Sequence, residues 1–289
     1  MSSKRLIVNA DGFGFGPGAT EGILDVIRRQ GFISSVSVNA NFPDMHRIRE
    51  LIKEFPWISV GVHLNALAGR PCLPPHWVPS LVTRDGWFHA DKFLPLLRSG
   101  HISMAELMEE FDAQIATVHA FAADRLTHLD SQENTHLYFM DLFLTLARKW
   151  RLARMRNNAS LICLESERPF WSRVNVYSRR PHLWLAHWYR NCQMLRARAA
   201  GMRMADRLIT VGYSATGNKT NLGNWLRILQ NLPPGTYEIY CHPAHPDATL
   251  RRWAVYCDER ELELKLLCQP ALQRAASHCN IDLIGFDRL

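Results

Sequence analysis

The chain has 289 residues, 47% hydrophobic and 21% charged, with a net charge of +7. These proportions exclude a disordered or fibrous protein, and no stretch approaches the roughly 18 uninterrupted apolar residues of a membrane span. Seven cysteines at scattered positions form neither C-x-x-C pairs nor an even secreted framework, and the apolar run after Arg5 is too short for a signal peptide, so a cytoplasmic protein with reduced thiols is expected.

The first predicted strand, 5–10, runs into Asp11. The turn Gly12-Phe13-Gly14-Phe15-Gly16-Pro17-Gly18 then opens a helix near 18–30. It lacks both the Lys-Ser/Thr ending of a phosphate loop and the dinucleotide spacing, so it reads as a flexible strand-to-helix turn. A strand at 34–40 and a helix at 44–55 follow, and then a strand at 58–64 that carries His63. The proline-rich segment 65–102 leads to a helix at 103–123, a strand at 125–130 holding His128 and Asp130, and a helix at 137–149. A strand at 152–156 carries Arg154, and segment 157–179 connects it to a helix at 180–200. The remaining pattern is strand 207–212, helix 219–231, strand 236–241 running into His242, helix 258–277 and strand 281–286. Apolar residues recur at three-and-four spacing in the helical stretches, while the strands are short and β-branched. Eight strands alternating with seven helices predict an α/β, (β/α) barrel-like fold of parallel strands with outer helices. We read 1–289 as a single domain, with the long loops 65–102 and 157–179 over the site.

Asp11, His63, His128, Asp130 and His242 all fall at strand ends, and parallel α/β folds build their active sites at the carboxyl ends of strands. A single histidine in a strand is more often a hydrogen-bonded core residue than a ligand, so the weight lies in the coincidence. Imidazoles with carboxylates suit a divalent metal, zinc or magnesium, whose bound water is acidified towards neutral pH. A spare carboxylate then takes a proton and a spare histidine protonates a leaving group, roles that fit Asp11 and His242. Arg154 is a candidate for holding substrate through bidentate contacts, with a core-edge salt bridge as its alternative. There is no G-x-S-x-G elbow, and Cys241, beside His242, has no activating partner in sequence.

Four separated motifs carry a family resemblance. Val8-Asn9-Ala10-Asp11-Gly12-Phe13-Gly14, Val60-Gly61-Val62-His63-Leu64-Asn65, Thr127-His128-Leu129-Asp130-Ser131 and Glu238-Ile239-Tyr240-Cys241-His242-Pro243 resemble, in order and spacing, those of the YdjC-like carbohydrate deacetylases. The tail from Arg260-Glu261-Leu262 to Gly285-Phe286 is similar to that family's last helix and strand. The resemblance implies a barrel-like hydrolase that removes acetyl groups from N-acetylated sugars with a divalent metal, and relatives associated with chitooligosaccharides or hopanoid lipids. It implies His63 and His128 as metal ligands, Asp11 as base and His242 as general acid; Asp130, read from the residues, is a further candidate for holding substrate or as a substitute ligand. The family's first motif reads Asn-Ala-Asp-Asp-Phe-Gly, so its second Asp, a metal ligand, falls on Gly12. A histidine-rich run is likewise replaced by Ser131-Gln132-Glu133-Asn134-Thr135-His136. The resemblance therefore predicts two histidines without their carboxylate, lowered metal affinity and doubtful activity. Three readings stay open: a working amidohydrolase completed by Asp11 or Glu133, a glycan-binding protein without hydrolysis, and a metal-independent enzyme acting on a related glycan.

Between Arg168 and Arg207 arginines are many and Asp206 is the single acid, with Trp171, Trp184, Trp188 and Tyr189 interspersed. A solvated basic face is one reading, and peripheral contact with an anionic membrane or a glycolipid is the other. No nucleic-acid motif accompanies the charge, so no specific nucleic-acid partner is expected. The partners expected are an N-acetylated sugar or glycolipid, and a homo-oligomer is compatible with the sequence.

Overall fold

The computed structural model of the chain describes residues 3–159, 161–163, 181–211, 221–254 and 256–289. Eight parallel strands form the centre: β1 (Lys4–Phe13), β2 (Ser35–Val38), β3 (Ser59–Leu64), β4 (Leu126–Ser131), β5 (Leu161–Cys163), β6 (Arg207–Thr210), β7 (Gly235–Cys241) and β8 (Ile281–Leu283). Around them lie α1 (Pro17–Arg28), α2 (Ile48–Glu54), α3 (Phe93–Arg98), α4 (Met104–Ala122), α5 (Met140–Lys149), α6 (Pro181–Ala199), α7 (Leu222–Asn231), α8 (Ala248–Trp253), α9 (Asp258–Leu267) and α10 (Pro270–His278). The strand order is β4-β3-β2-β1-β7-β6-β5, and β8 pairs with the start of β1 on the edge that β2 uses further along. Single backbone contacts carry the sheet on past β4. Leu129 N donates to Arg154 O at 3.0 Å, and Met155 N donates to Arg203 O at 3.0 Å. The result is the parallel, helix-flanked, barrel-like single domain that the alternating pattern predicts.

Several elements depart from the sequence reading, among them helix α3, which lies within the segment 65–102 read as a loop. The strand expected at 152–156 is present only as isolated bridges at Arg154 and Met155, and β5 lies further on. The helix expected at 258–277 is two, because Pro270 cannot donate within a helix and so begins α10. Helix α8, six residues long, is too short to show a period. Of the loop 157–179, residue 160 and residues 164–179 lie outside the described residues.

Period-two alternation gives the strands two different faces. Leu6, Val8 and Ala10 of β1, with Val36, Val38, Val60 and Val62, pack under the helices in one large core, each such aliphatic burial contributing roughly 1.5–3 kcal/mol. The alternate residues face the inside of the curve. At its floor Ile7, Ile284 and Phe286 cluster. Above them the interior is polar: Asn9, Ser37, His128 and Glu238 are all fully buried. His128 stacks on Phe286 with ring centroids 3.8 Å apart, and it takes the space beside Gly61, where a Cβ would come within 2.3 Å of its Nε2. Among the described residues no helix is long and apolar enough to cross a membrane.

Candidate functional site

Asp11 near the end of β1, His63 on β3 and Asp130 on β4 bring one ligand atom each to within 4.8 Å of one another, and all three are buried. Parallel register does this, since it sets His63 directly beside Asp130 and Asp11 beside Ser37 of the intervening strand. His63 Nδ1 lies 2.7 Å from Asp130 Oδ1, and the Ser37 hydroxyl donates to Asp130 Oδ2 at 2.8 Å. Asn9 Nδ2 donates to Asp11 Oδ1 at 2.7 Å. Two carboxylates and an imidazole are a donor set for a hard or borderline divalent ion.

This cluster overturns the expectation built on Gly12. The site does not lack a carboxylate: Asp11 and Asp130 both reach it, and the doubt about enzymatic activity that followed from a Gly-disrupted site falls with it. The reason lies in the backbone. The β1–β2 register slips between Asp11 and Phe13, and Gly12, at φ +101°, takes up the slip in a conformation that L side chains rarely adopt. The bulge leaves Asp11 pointing into the curve.

A buried guanidinium joins the acids. Arg156 donates through Nη1 and Nη2 to the two oxygens of Asp11 at 2.8 and 2.6 Å and through Nε to Glu238 Oε1 at 2.6 Å, and its Nη2 lies 3.1 Å from Asp130 Oδ2. Burial opposes ionisation of Asp11, but Arg156 overcomes it and holds this carboxyl below its ordinary value. Asp130 is burdened in the same way and is likewise held well below the ordinary carboxylate value, by His63 and Arg156 together. His63, despite burial, is raised by Asp130. Glu238 is pushed up to about 7, because burial outweighs its contact with Arg156.

A cavity of about 190 Å³ opens over Asp11, His63 and Arg156. Its wall includes His242, Tyr256, Arg260 and Trp253, together with Glu133 and Asn134, two successive residues at positive φ of 50° and 56°. Non-glycine residues in that region carry strain that is commonly found at binding sites. His242 Nε2 is 3.9 Å from Asp11 Oδ2, and its Nδ1 lies 3.2 Å from the Tyr256 hydroxyl. Burial, reinforced by the charge of Arg260, pushes His242 down to about 3, so the ring is neutral at pH 7.

The structure thus brings Asp11, His63, Asp130 and His242 together. His128 sits one layer deeper, joined to Asp130 only through Ser37, whose Oγ is 3.1 Å from its Nε2, and burial lowers it to about 3. Arg154 does not line this cavity: its Nη2 donates to Asp287 O at 2.9 Å. Arg156 is the arginine that reaches the site, two residues on and on the same side of the strand period. A buried cation opposite three acids was in principle visible as the second basic residue of that run. Tyr256, Arg260 and Trp253 come from loop and helix positions whose direction no strand period reveals.

An acidic and imidazole cluster at the carboxyl ends of a parallel barrel-like sheet defines a metal-site hydrolase architecture. The chain belongs to the YdjC-like protein family, which it matches over residues 5–278. It is 28% identical to a carbohydrate deacetylase of Enterococcus faecalis, with 100% of this chain and 99% of that protein covered. It is 26% identical to a mouse carbohydrate deacetylase over 99% of this chain and 94% of that one, and 26% identical to a chitooligosaccharide deacetylase of Yersinia pestis with 98% of each covered. A crystal structure from Enterococcus faecalis, of a protein described as a candidate for cellobiose-phosphate cleavage, superposes with a TM-score of 0.77 at 26% identity and covers 99% of both chains.

Proposed function

We propose that this protein is a metal-dependent carbohydrate deacetylase that releases acetate from an N-acetylated sugar or glycolipid. The observation that carries the reading is the convergence of Asp11, His63 and Asp130 at the strand ends, with Asp11 and His63 lining a pocket and Asp130 buried behind them. The residues fit a divalent ion by charge as well as by donor type. Asp11, Asp130 and Glu238 against Arg156 leave an excess of two negative charges when all are ionised, in a buried site where such an excess is costly. When bound there, a divalent ion supplies polarisation of the acetamide carbonyl and acidification of water.

The chain's own groups handle the proton and the sugar. Asp11, with both oxygens accepting from Arg156, serves as a ligand and leaves the proton to His242. His242 begins neutral, so it first collects the proton of the attacking water and then delivers it to the departing amine. The Tyr256 hydroxyl fixes the imidazole from its other nitrogen. Trp253 and Phe15 give the pocket an apolar wall for a sugar ring.

Zinc titration of metal-free protein by calorimetry, with acetate release from N,N′-diacetylchitobiose measured in parallel, tests this. One-to-one binding is expected, lost in His63→Ala together with at least about a hundredfold of turnover. Undiminished turnover in that variant excludes the metal-dependent reading.

Membrane contact is proposed for part of the 168–207 region; residues 168–180 lie outside the described residues. Support comes from α6, where Leu185, Trp188 and Leu195 share one helical face at 68%, 66% and 64% exposure, flanked by the exposed Arg196 and Arg198. Salt-sensitive co-sedimentation with vesicles rich in anionic lipid is the expected result; a protein left in the supernatant at low salt removes the idea.

A further inference from the structure

Arg260 stands in the first turn of α9 and lines the pocket at the strand ends at 8% exposure. Its side-chain contacts are to neutral groups: Nε donates to Tyr256 O at 3.2 Å, and the guanidinium lies 4.9 Å from the Tyr256 ring centre. Among the described residues it forms no ion pair. Both circumstances are unfavourable for a cation. A helix N-terminus already carries partial positive charge, and a buried guanidinium without a carboxylate has lost water and gained no counter-charge. Arg156, the other arginine of the pocket, is different, because three acids engage its donors. Arg260 has Nη donors to offer the oxygen of a ligand.

The backbone around Arg260 is fixed from two sides. Arg260 N donates to Cys257 O at 3.1 Å, and Ala244 N donates to Arg260 O at 3.3 Å, which ties α9 to the segment leaving β7. One turn further on, Glu263 Oε2 accepts from His242 N at 2.7 Å. The same helix thus sets the guanidinium and the histidine that moves the proton. Beyond its chain neighbours, a Cβ on Gly12 would have as its nearest atoms Phe15 Cβ at 3.9 Å and Arg260 Nη1 at 4.0 Å. The space over Gly12 therefore takes a carbon-sized group without a clash, with an apolar side chain on one side and a guanidinium on the other, next to Asp11 of the cluster. Phe15 is held there by Phe42, their ring centroids 4.5 Å apart. A methyl group and a charged oxygen on one carbon match those two walls, and an acetyl group has both.

We propose that Arg260 is a further catalytic residue, which binds the carbonyl oxygen of the scissile acetamide and afterwards the carboxylate of the released acetate, with the methyl group over Gly12 against Phe15. The inference rests on the carbohydrate-deacetylase reading and adds the group that holds the acyl end. Addition of the water oxygen to the acetamide carbon moves the carbonyl π pair onto oxygen, where a full negative charge develops beside a fixed cation. The pair returns as the C–N bond breaks, His242 passes one proton of the water to the nitrogen, and the other is shed as acetic acid ionises. Arg260 donates hydrogen bonds throughout and transfers no proton, because a guanidinium does not deprotonate in a protein.

Calorimetric titration of the full chain with sodium acetate, in the presence of zinc and at constant ionic strength, reads the acyl subsite without turnover. Arg260→Met is expected to weaken acetate binding at least about tenfold, with Arg260→Lys between it and wild type. In Arg260→Met, acetate release from N,N′-diacetylchitobiose is expected to fall at least about a hundredfold in kcat with little change in KM, the effect of removing an oxyanion donor. Guanidinium chloride at low, non-denaturing concentration should restore part of the turnover of Arg260→Ala, which a misfolded variant would not show. Acetate bound equally by wild type and Arg260→Met overturns the proposal. Loss of acetate binding in all three variants alike, without rescue, gives Arg260 a structural role and overturns it too. Arg260-dependent acetate binding without turnover of the sugar keeps the subsite and removes the deacetylase reading. Turnover lost in His63→Ala but intact in Arg260→Met keeps the reading and removes the catalytic role of Arg260.

Discussion

Replacing Arg156 with methionine is expected to cost about 3–5 kcal/mol of stability at pH 8, seen as a melting temperature lower by roughly 10 °C. Methionine keeps much of the side chain's bulk but removes the guanidinium that Asp11, Glu238 and Asp130 share, leaving three buried acids facing one another with only Asn9, Ser37 and His63 as partners. The pH dependence follows from the direction of the shifts. Asp11 and Asp130 are depressed in the folded protein, so their stabilisation is present above the ordinary carboxylate value and is lost as pH falls through their folded values. Without Arg156 the same groups are raised, and a raised acid destabilises the fold most where it is forced to ionise, at high pH. Denaturation of wild type and variant at pH 8 and pH 5 should therefore show a gap that narrows on acidification. A gap of equal size at both pH values would attribute the loss to packing and refute the charge account. Zinc should also stabilise the variant more than the wild type, because a divalent ion replaces the missing cation.

The same group shows where sequence reasoning runs out. The barrel-like order of strands was legible because each strand is a short β-branched run followed by a helical period, and the strand-end positions of Asp11, His63 and Asp130 followed from that pattern alone. Their convergence also depends on register, which aligns His63 with Asp130 and sets the Gly12 bulge. Position 12 misled for a local reason: matching motifs letter by letter assigns ligands to positions, whereas the left-handed backbone at Gly12 leaves the pocket to the side chain before it. His128 and Asp130 share a strand face, and only the depth of the curve separates the one on the floor beside Phe286 from the one at the cluster. Arg154 and Arg156 share a face as well. They differ in what they meet along it: Arg154 reaches Asp287 O beside Phe286 of the floor cluster and Arg156 reaches Asp11, a tertiary outcome with no local code.

Zinc binding at the Asp11–His63–Asp130 cluster is expected to release about two protons near pH 6.5 and fewer at pH 8.5, and to strengthen as pH rises. In the metal-free protein the excess of two negative charges is made up by protons. One is on His63, which Asp130 raises above the ordinary histidine value, and one is on Glu238, pushed up to about 7 by burial. Each is displaced when a divalent cation supplies the charge instead. As pH climbs through these values the protons leave of their own accord, so fewer remain to be displaced and less of the binding energy is spent on removing them. Calorimetry in two buffers of different ionisation enthalpy counts the protons directly. Glu238→Gln should lower the count at pH 6.5 by about one and weaken zinc binding by about tenfold at pH 8, since it takes one negative charge out of the buried set without touching a ligand. A proton count near zero, with affinity flat from pH 5.5 to 8.5, would mean that Arg156 already completes the charge of the site and that the ion binds elsewhere on the protein.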